Sequence, residues 1–273
     1  MRNVAFIILA LIASVSGNAQ KLPNTQTVSL KVPADVKIDG KAVEWGDKFQ
    51  AYNSATDLYY SIANTGTNLY FVVKTNSYAI TNKVLRGGIT ITINPDQKKG
   101  TSPAPVITFP MTEPKDLRSI TLSMREMLEN EDSNREEKLL ANTNKLLTSD
   151  LRFIRTTGFK NVTDTLISVY NEHGIKVATA LSNKNSMICE FEIPIALLKL
   201  QGDKFNYNVK LNGPKLRPVN VPVSMPEVER TAVPLSVFKD AGVVNRENMT
   251  KQQSEMVAST LSTDFWGEYT LAK

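Results

Sequence analysis

The sequence predicts a mainly β protein: an antiparallel sandwich of the immunoglobulin-like or jelly-roll type that carries an α-helical insertion. Three observations predict it. Apolar residues alternate with polar ones in a series of short segments, the signature of half-buried strands. Turn residues separate these segments, and helices do not alternate with them as a parallel sheet would require. One stretch, residues 113–150, switches to helical spacing.

The strands follow in order. DLYYSIA places Leu58, Tyr60 and Ile62 on one face, and NLYFVV follows after Asn64-Thr65-Gly66-Thr67, so the two read as a hairpin. GGITITIN alternates Ile89, Ile91 and Ile93 with Thr90, Thr92 and Asn94. TDTLISVY and IKVATAL flank Asn171-Glu172-His173-Gly174 and read as a second hairpin. In SMICEFEIPI, Met187, Cys189, Phe191 and Ile193 alternate with Glu190 and Glu192. FNYNVKLNG sets Phe205, Tyr207, Val209 and Leu211 against Asn206, Asn208 and Lys210, and FWGEYTL closes the chain.

Residues 113–150 read as two amphipathic helices joined near 130–134. Leu117, Ile120, Met124, Met127 and Leu128 mark the first, and Leu139, Leu140, Leu146 and Leu147 the second. Residues 245–260 suggest a shorter helical excursion. The Pro- and Lys-rich stretch PDQKKGTSPAPV reads as a loop. Residues 20–273 then form one domain, with both helical segments packed on the sandwich.

The first twenty residues, MRNVAFIILALIASVSGNAQ, predict a signal peptide over 1–19. Arg2 is followed by an apolar run, and Gly17 and Ala19 are small residues ahead of a cut near Ala19-Gln20. That run falls short of the ~20 residues a membrane helix needs. The expectation is a secreted or periplasmic protein without a membrane span. A net charge of +5, with scattered lysines, argues for a solvated surface and against a nucleic-acid footprint. Cys189 is the single cysteine, which excludes an intrachain disulfide.

Residue types also limit the chemistry. His173 is the lone histidine and sits in a turn, so a Ser-His-Asp or Cys-His machine lacks its base. One histidine and one strand-borne cysteine exclude a standard structural zinc site. Arg86-Gly87-Gly88 is too short for a phosphate loop. Glycoside hydrolysis needs only two acids. Asp39, Glu44, Asp47, Glu190, Glu192, Asp264 and Glu268 are available, each also readable as an outward strand residue or turn former. No cofactor is indicated. Calcium held by oxygen ligands stays open, without a specific site. The reading is therefore not an enzyme, with a hydrolase held in reserve.

In order, KIDGKAVEW, LYYSIANTGTNLYFVVKT, GGITITIN, CEFEIPIALL and FWGEYTL resemble family 9 carbohydrate-binding modules, within the wider group of DOMON-type β-sandwiches. The resemblance covers most of residues 20–273 outside the helical insertions. The ending NAQK is similar to signal peptides of Bacteroidetes secretory proteins. The resemblance implies that Asp39 and Gly40 form a turn, and that Trp45 after it plugs the core and does not grip a sugar. Trp266, inside the last strand, is read as a second core residue. The sequence departs from the sugar-binding members, which clamp a sugar between two tryptophans. The corresponding stretches here, NKVLRGG and VASTLSTD, contain no aromatic residue.

Two functions follow. One is an exported, non-catalytic glycan-binding protein whose site uses Tyr52, Tyr59, Tyr70, Tyr78 and Arg86 in place of the clamp. The other is a structural or interaction protein of the cell envelope, with the sugar site lost and the helical insertion covering an outer face or docking a partner protein.

Overall fold

The computed structural model describes residues 21–46, 48–95, 104–214 and 260–273. The expected signal peptide, Asp47, most of the loop at 95–106 and all but the end of the excursion at 245–260 lie outside the described residues.

Two antiparallel sheets face each other. The first contains β1 (Ala51–Asn53), β2 (Leu58–Asn64), β3 (Asn68–Thr75), β8 (Lys176–Asn183) and β9 (Ser186–Pro194), in the order β1-β2-β3-β9-β8. The second contains β4 (Ile89–Asn94), β5 (Val106–Phe109), β6 (Phe153–Thr157), β7 (Leu166–Ser168), β10 (Lys204–Leu211) and β11 (Thr263–Thr270), in the order β11-β10-β4-β5-β6-β7. Among the described residues there are three α-helices: α1 (Tyr78–Gly87), which links the first sheet to the second, and α2 (Pro114–Glu129) and α3 (Ser133–Asp150), both within the second sheet's connection from β5 to β6. The architecture is a β-sandwich with a helical insertion between β5 and β6, as the period-two and period-3.6 patterns predict. No helix among the described residues is long and apolar enough to cross a membrane.

The inward faces of both sheets meet in one core containing Ile62, Phe71, Cys189 and Phe191 from one side and Ile91, Ile107, Tyr207 and Val209 from the other. Two tyrosines cross it. The hydroxyls of Tyr60 and Tyr207 lie 3.0 Å apart, and Tyr60 also accepts the Gln26 amide at 3.0 Å, so neither hydroxyl is buried unpaired. Gly267 on β11 makes this crossing fit, because a Cβ there would collide with the Tyr207 ring and hydroxyl.

A second, smaller core lies on the outer face of the first sheet. Ala42, Trp45 and Phe49 from the N-terminal segment cover Ala63, Tyr70, Val72 and Ile188. Gln26 completes the strap. Its side-chain amide bonds both the N–H and the C=O of Ile62, each at 2.7 Å, beyond the end of the three-residue β1.

Two expectations are corrected, and one helix was not foreseen. Residues 166–168 and 176–183 are not a hairpin: β7 belongs to one sheet and β8 to the other. Asn171 orders the turn between them through the carbonyls of Ser168 and Ile175, so a hairpin-like signature marks a crossover. The stretch 78–87 is a helix. Ser77 caps it by accepting the Ile80 N–H, and Ile80, Val84 and Leu85 face the core. The insertion does not lie on an outer face. Ile120, Met124, Met127 and Leu147 enter the main core itself, while α3 runs along β8. There the Asn144 amide bonds the Leu181 carbonyl at 2.9 Å and accepts its N–H at 2.7 Å. The insertion thus closes the open edge of the first sheet.

Candidate functional site

The Asp39-Gly40 turn and Trp45 converge on Glu190. One carboxylate oxygen accepts the amides of Asp39 and Gly40, at 3.0 and 2.7 Å, and the other accepts the Trp45 indole N–H at 3.2 Å. Gly40 has φ +82°, and a Cβ there would lie 2.6 Å from the Ala180 amide, so the turn packs flush on β8. Trp45 is 6 % exposed and Glu190 1 %. Burial pushes the Glu190 carboxyl up to about 7, against the opposing pull of its three N–H donors. A raised carboxyl is also what a general acid needs, but this one is sealed beneath the N-terminal strap.

Three other candidate acids are engaged by neighbouring side chains. Glu192 is held by Lys176 at 3.1 Å and by Asn68 at 2.9 Å. Asp264 accepts from Asn208, and Glu268 pairs with Lys204. Cys189 is buried, its thiol pushed up to about 12 by desolvation, so it is an inert core residue. His173 lies in the β7–β8 crossover and donates its backbone N–H to Asn171. Among the described residues no group of three or more His, Cys, Asp or Glu could hold a metal ion.

The structure does not gather the five expected ligand residues. Tyr52 and Tyr59 are cross-strand partners whose ring centroids lie 4.7 Å apart on the outer face of the first sheet. Tyr52 donates to Asp57 at 2.5 Å, which holds its phenol up at about 12. Tyr70 cannot act as a platform, because it is 5 % exposed under the strap. It occupies an outward position, but the strap covers that face. Tyr78 opens α1 and packs against the main core. Arg86 alone reaches a cleft. Trp266 is also corrected: it belongs to neither core. Phe265, Gly267 and Tyr269 alternate inward on β11, so period two turns Trp266 to the outer face.

Arg86 borders a cleft of about 280 Å³ on the outer face of the second sheet. Its floor is Thr90, Thr108 and Arg155, in register on β4, β5 and β6, part of a cross-strand row that continues beyond the cleft lining to Lys210 on β10 and Leu166 on β7. Asn212, just past β10, pins the end of α1 by donating to the carbonyls of Gly87 and Gly88, and to the Thr90 hydroxyl at 2.8 Å. Pro110, Met111 and Thr112 form the remaining wall. No residue of 113–150 lines this cleft. Phe153 lies two residues before Arg155 on the same face and is 43 % exposed. Sequence reading missed Phe153, Arg155 and Asn212, although the alternation in FIRTT would have set Phe153 and Arg155 on one face.

A larger cleft of about 520 Å³ lies at the sandwich edge. Ile38, Phe109, Leu147, Leu151 and Val177 give it an apolar floor, and Tyr170, 82 % exposed, stands at its rim.

No protein-family model matches the chain, and no curated protein matches it.

Proposed function

We propose that this protein is an exported, non-catalytic glycan-binding module of the family 9-like kind. The observation that carries this reading is the cleft on the outer face of the second sheet, which the helical insertion leaves unfilled. The cleft offers what sugar hydroxyls require: guanidinium, hydroxyl and amide groups on a rigid sheet, with the exposed Phe153 ring beside it for a sugar's apolar face. A module without its tryptophan clamp is consistent with this arrangement, because Phe153 supplies a ring from a strand the clamp does not use. The sealed Glu190 and the paired Glu192 support binding without turnover.

A glycan array probed with the mature protein tests the proposal, alongside a reducing-sugar assay on every glycan bound. Retention of a glycan class without release of reducing ends is expected. An array with no specific binding contradicts the reading, as does turnover abolished by Glu192→Gln.

A second reading, an envelope interaction protein, has its own support. Leu166, 51 % exposed on the edge strand β7, and Tyr170 in the following turn form an apolar margin suited to a partner. Cross-linking in intact cells with a photoreactive residue at position 170 separates the two, since a glycan-only role leaves no protein adduct.

A further inference from the structure

The cleft beside Arg86 is rich in donors and poor in acids. None of its lining residues among the described ones is an Asp or a Glu. Arg86 spends its Nε on Asn82 at 3.1 Å and pairs with no carboxylate among the described residues. The Arg155 guanidinium makes no hydrogen bond or ion pair among the described residues. Lys210, next to Thr90 in the cross-strand row, lies outside the cleft lining. Asp264 lies on the far side of Lys210 and already accepts from Asn208 at 2.7 Å.

The two floor threonines point the same way. Thr90 accepts from Asn212, and the Thr90 and Thr108 hydroxyls lie 2.7 Å apart. Whichever of them donates to the other, one hydroxyl hydrogen is left over. Neither hydroxyl gives it to any other group among the described residues. Among the described residues, the cleft therefore presents two guanidiniums and an unspent hydroxyl hydrogen with no carboxylate to receive them. Neutral sugars, whose hydroxyls both donate and accept, do not require such an imbalance. An oxyanion, which only accepts, satisfies it.

We infer that the cleft selects glycans that carry an oxyanion on the sugar ring, a uronate carboxylate or a sulfate ester, with Arg86 and Arg155 as its contacts. This inference rests on the glycan-binding reading and narrows it to a charge class. Both arginines are exposed and outside either core, so they can be changed without disturbing the fold.

Isothermal titration against polygalacturonate, the same polymer fully methyl-esterified, and dextran sulfate beside neutral dextran tests it. The acidic polymers are expected to bind and the neutral ones to fail. Arg155→Gln and Arg86→Gln should each weaken binding about tenfold or more, since a charge-assisted hydrogen bond is lost. Lys138→Gln on the exposed face of α3 removes the same charge and should change little. The carboxylate and sulfate arms show which oxyanion fits. Equal binding of the esterified polymer would overturn the charge inference while leaving the glycan reading standing. Acidic binding that both arginine variants keep, or that Lys138→Gln weakens as much, would also overturn it, as diffuse attraction to a basic chain. Failure of every polymer, acidic and neutral, would remove both.

Discussion

The indole N–H of Trp45 donates to Glu190 across 3.2 Å, and the two residues stand 145 positions apart in the chain. This contact, together with the Asp39 and Gly40 amides on the other carboxylate oxygen, clamps the N-terminal segment to the back of the first sheet. A buried carboxylate is tolerated only when its lone pairs are occupied, and the strap supplies the donors. Trp45 is thus both the body of a small apolar core and one of the donors that make Glu190 acceptable there.

Removing the ring should be costly. Trp45→Ala is expected to destabilise by about 3–5 kcal/mol through lost burial and a cavity. Trp45→Phe, which keeps much of the apolar body and loses the donor, should cost about 1–3 kcal/mol. Urea unfolding of the two variants measures both. Glycan binding should be retained under native conditions, because the cleft lies on the other sheet.

The raised Glu190 carboxyl makes stability pH-dependent in a definite direction. Its folded value is about 7 against the ordinary 4.5. Between these values the folded protein holds a proton that the unfolded chain has released. The resulting stabilisation, on the order of 3 kcal/mol, is full below about pH 4.5 and is lost as pH rises through 7. Glu190→Gln should flatten this slope, read as urea midpoints at pH 5 and pH 8. A variant that retains the wild-type slope would assign it elsewhere.

Asn144 should matter far more than an exposed helix position. Its amide satisfies both backbone groups of Leu181 on the edge strand β8. Asn144→Ala leaves a donor and an acceptor unmet, at about 1–3 kcal/mol, and uncovers a strand edge. Lower urea midpoints together with greater light scattering on mild heating are expected. Deleting residues 113–150 outright should leave no soluble sandwich, because Ile120, Met124, Met127 and Leu147 belong to the main core.

The strands were legible because their side chains obey period two whatever they pair with. Ile89, Ile91 and Ile93 face inward as the alternation requires. Crossovers were not legible. The turn at 171–174 carries hairpin residues, and only the partners of Leu166 and Lys176, on different sheets, reveal its course. Helix α1 was hidden although its signal was present: Ser77 as cap, then Ile80, Val84 and Leu85 on one side. Trp266 was misplaced for want of applying the same alternation to β11. The cleft could not be found from local pattern, since Asn212 meets Thr90 from 122 positions away and Arg155 joins them only through strand register. Arg86 was singled out, but its companions were not.

The central claim is that glycan is held on the outer face of the second sheet and not by the tyrosines of the first. Binding to one glycan from the array, measured for Phe153→Ala and for the double variant Tyr52→Ala/Tyr59→Ala, tests it most directly. The account predicts that Phe153→Ala weakens binding about tenfold or more, as loss of a stacking ring does, with an unchanged melting temperature. The double tyrosine variant should bind like the parent protein, whatever it loses in stability. Binding that survives Phe153→Ala and disappears with the tyrosines would contradict the account.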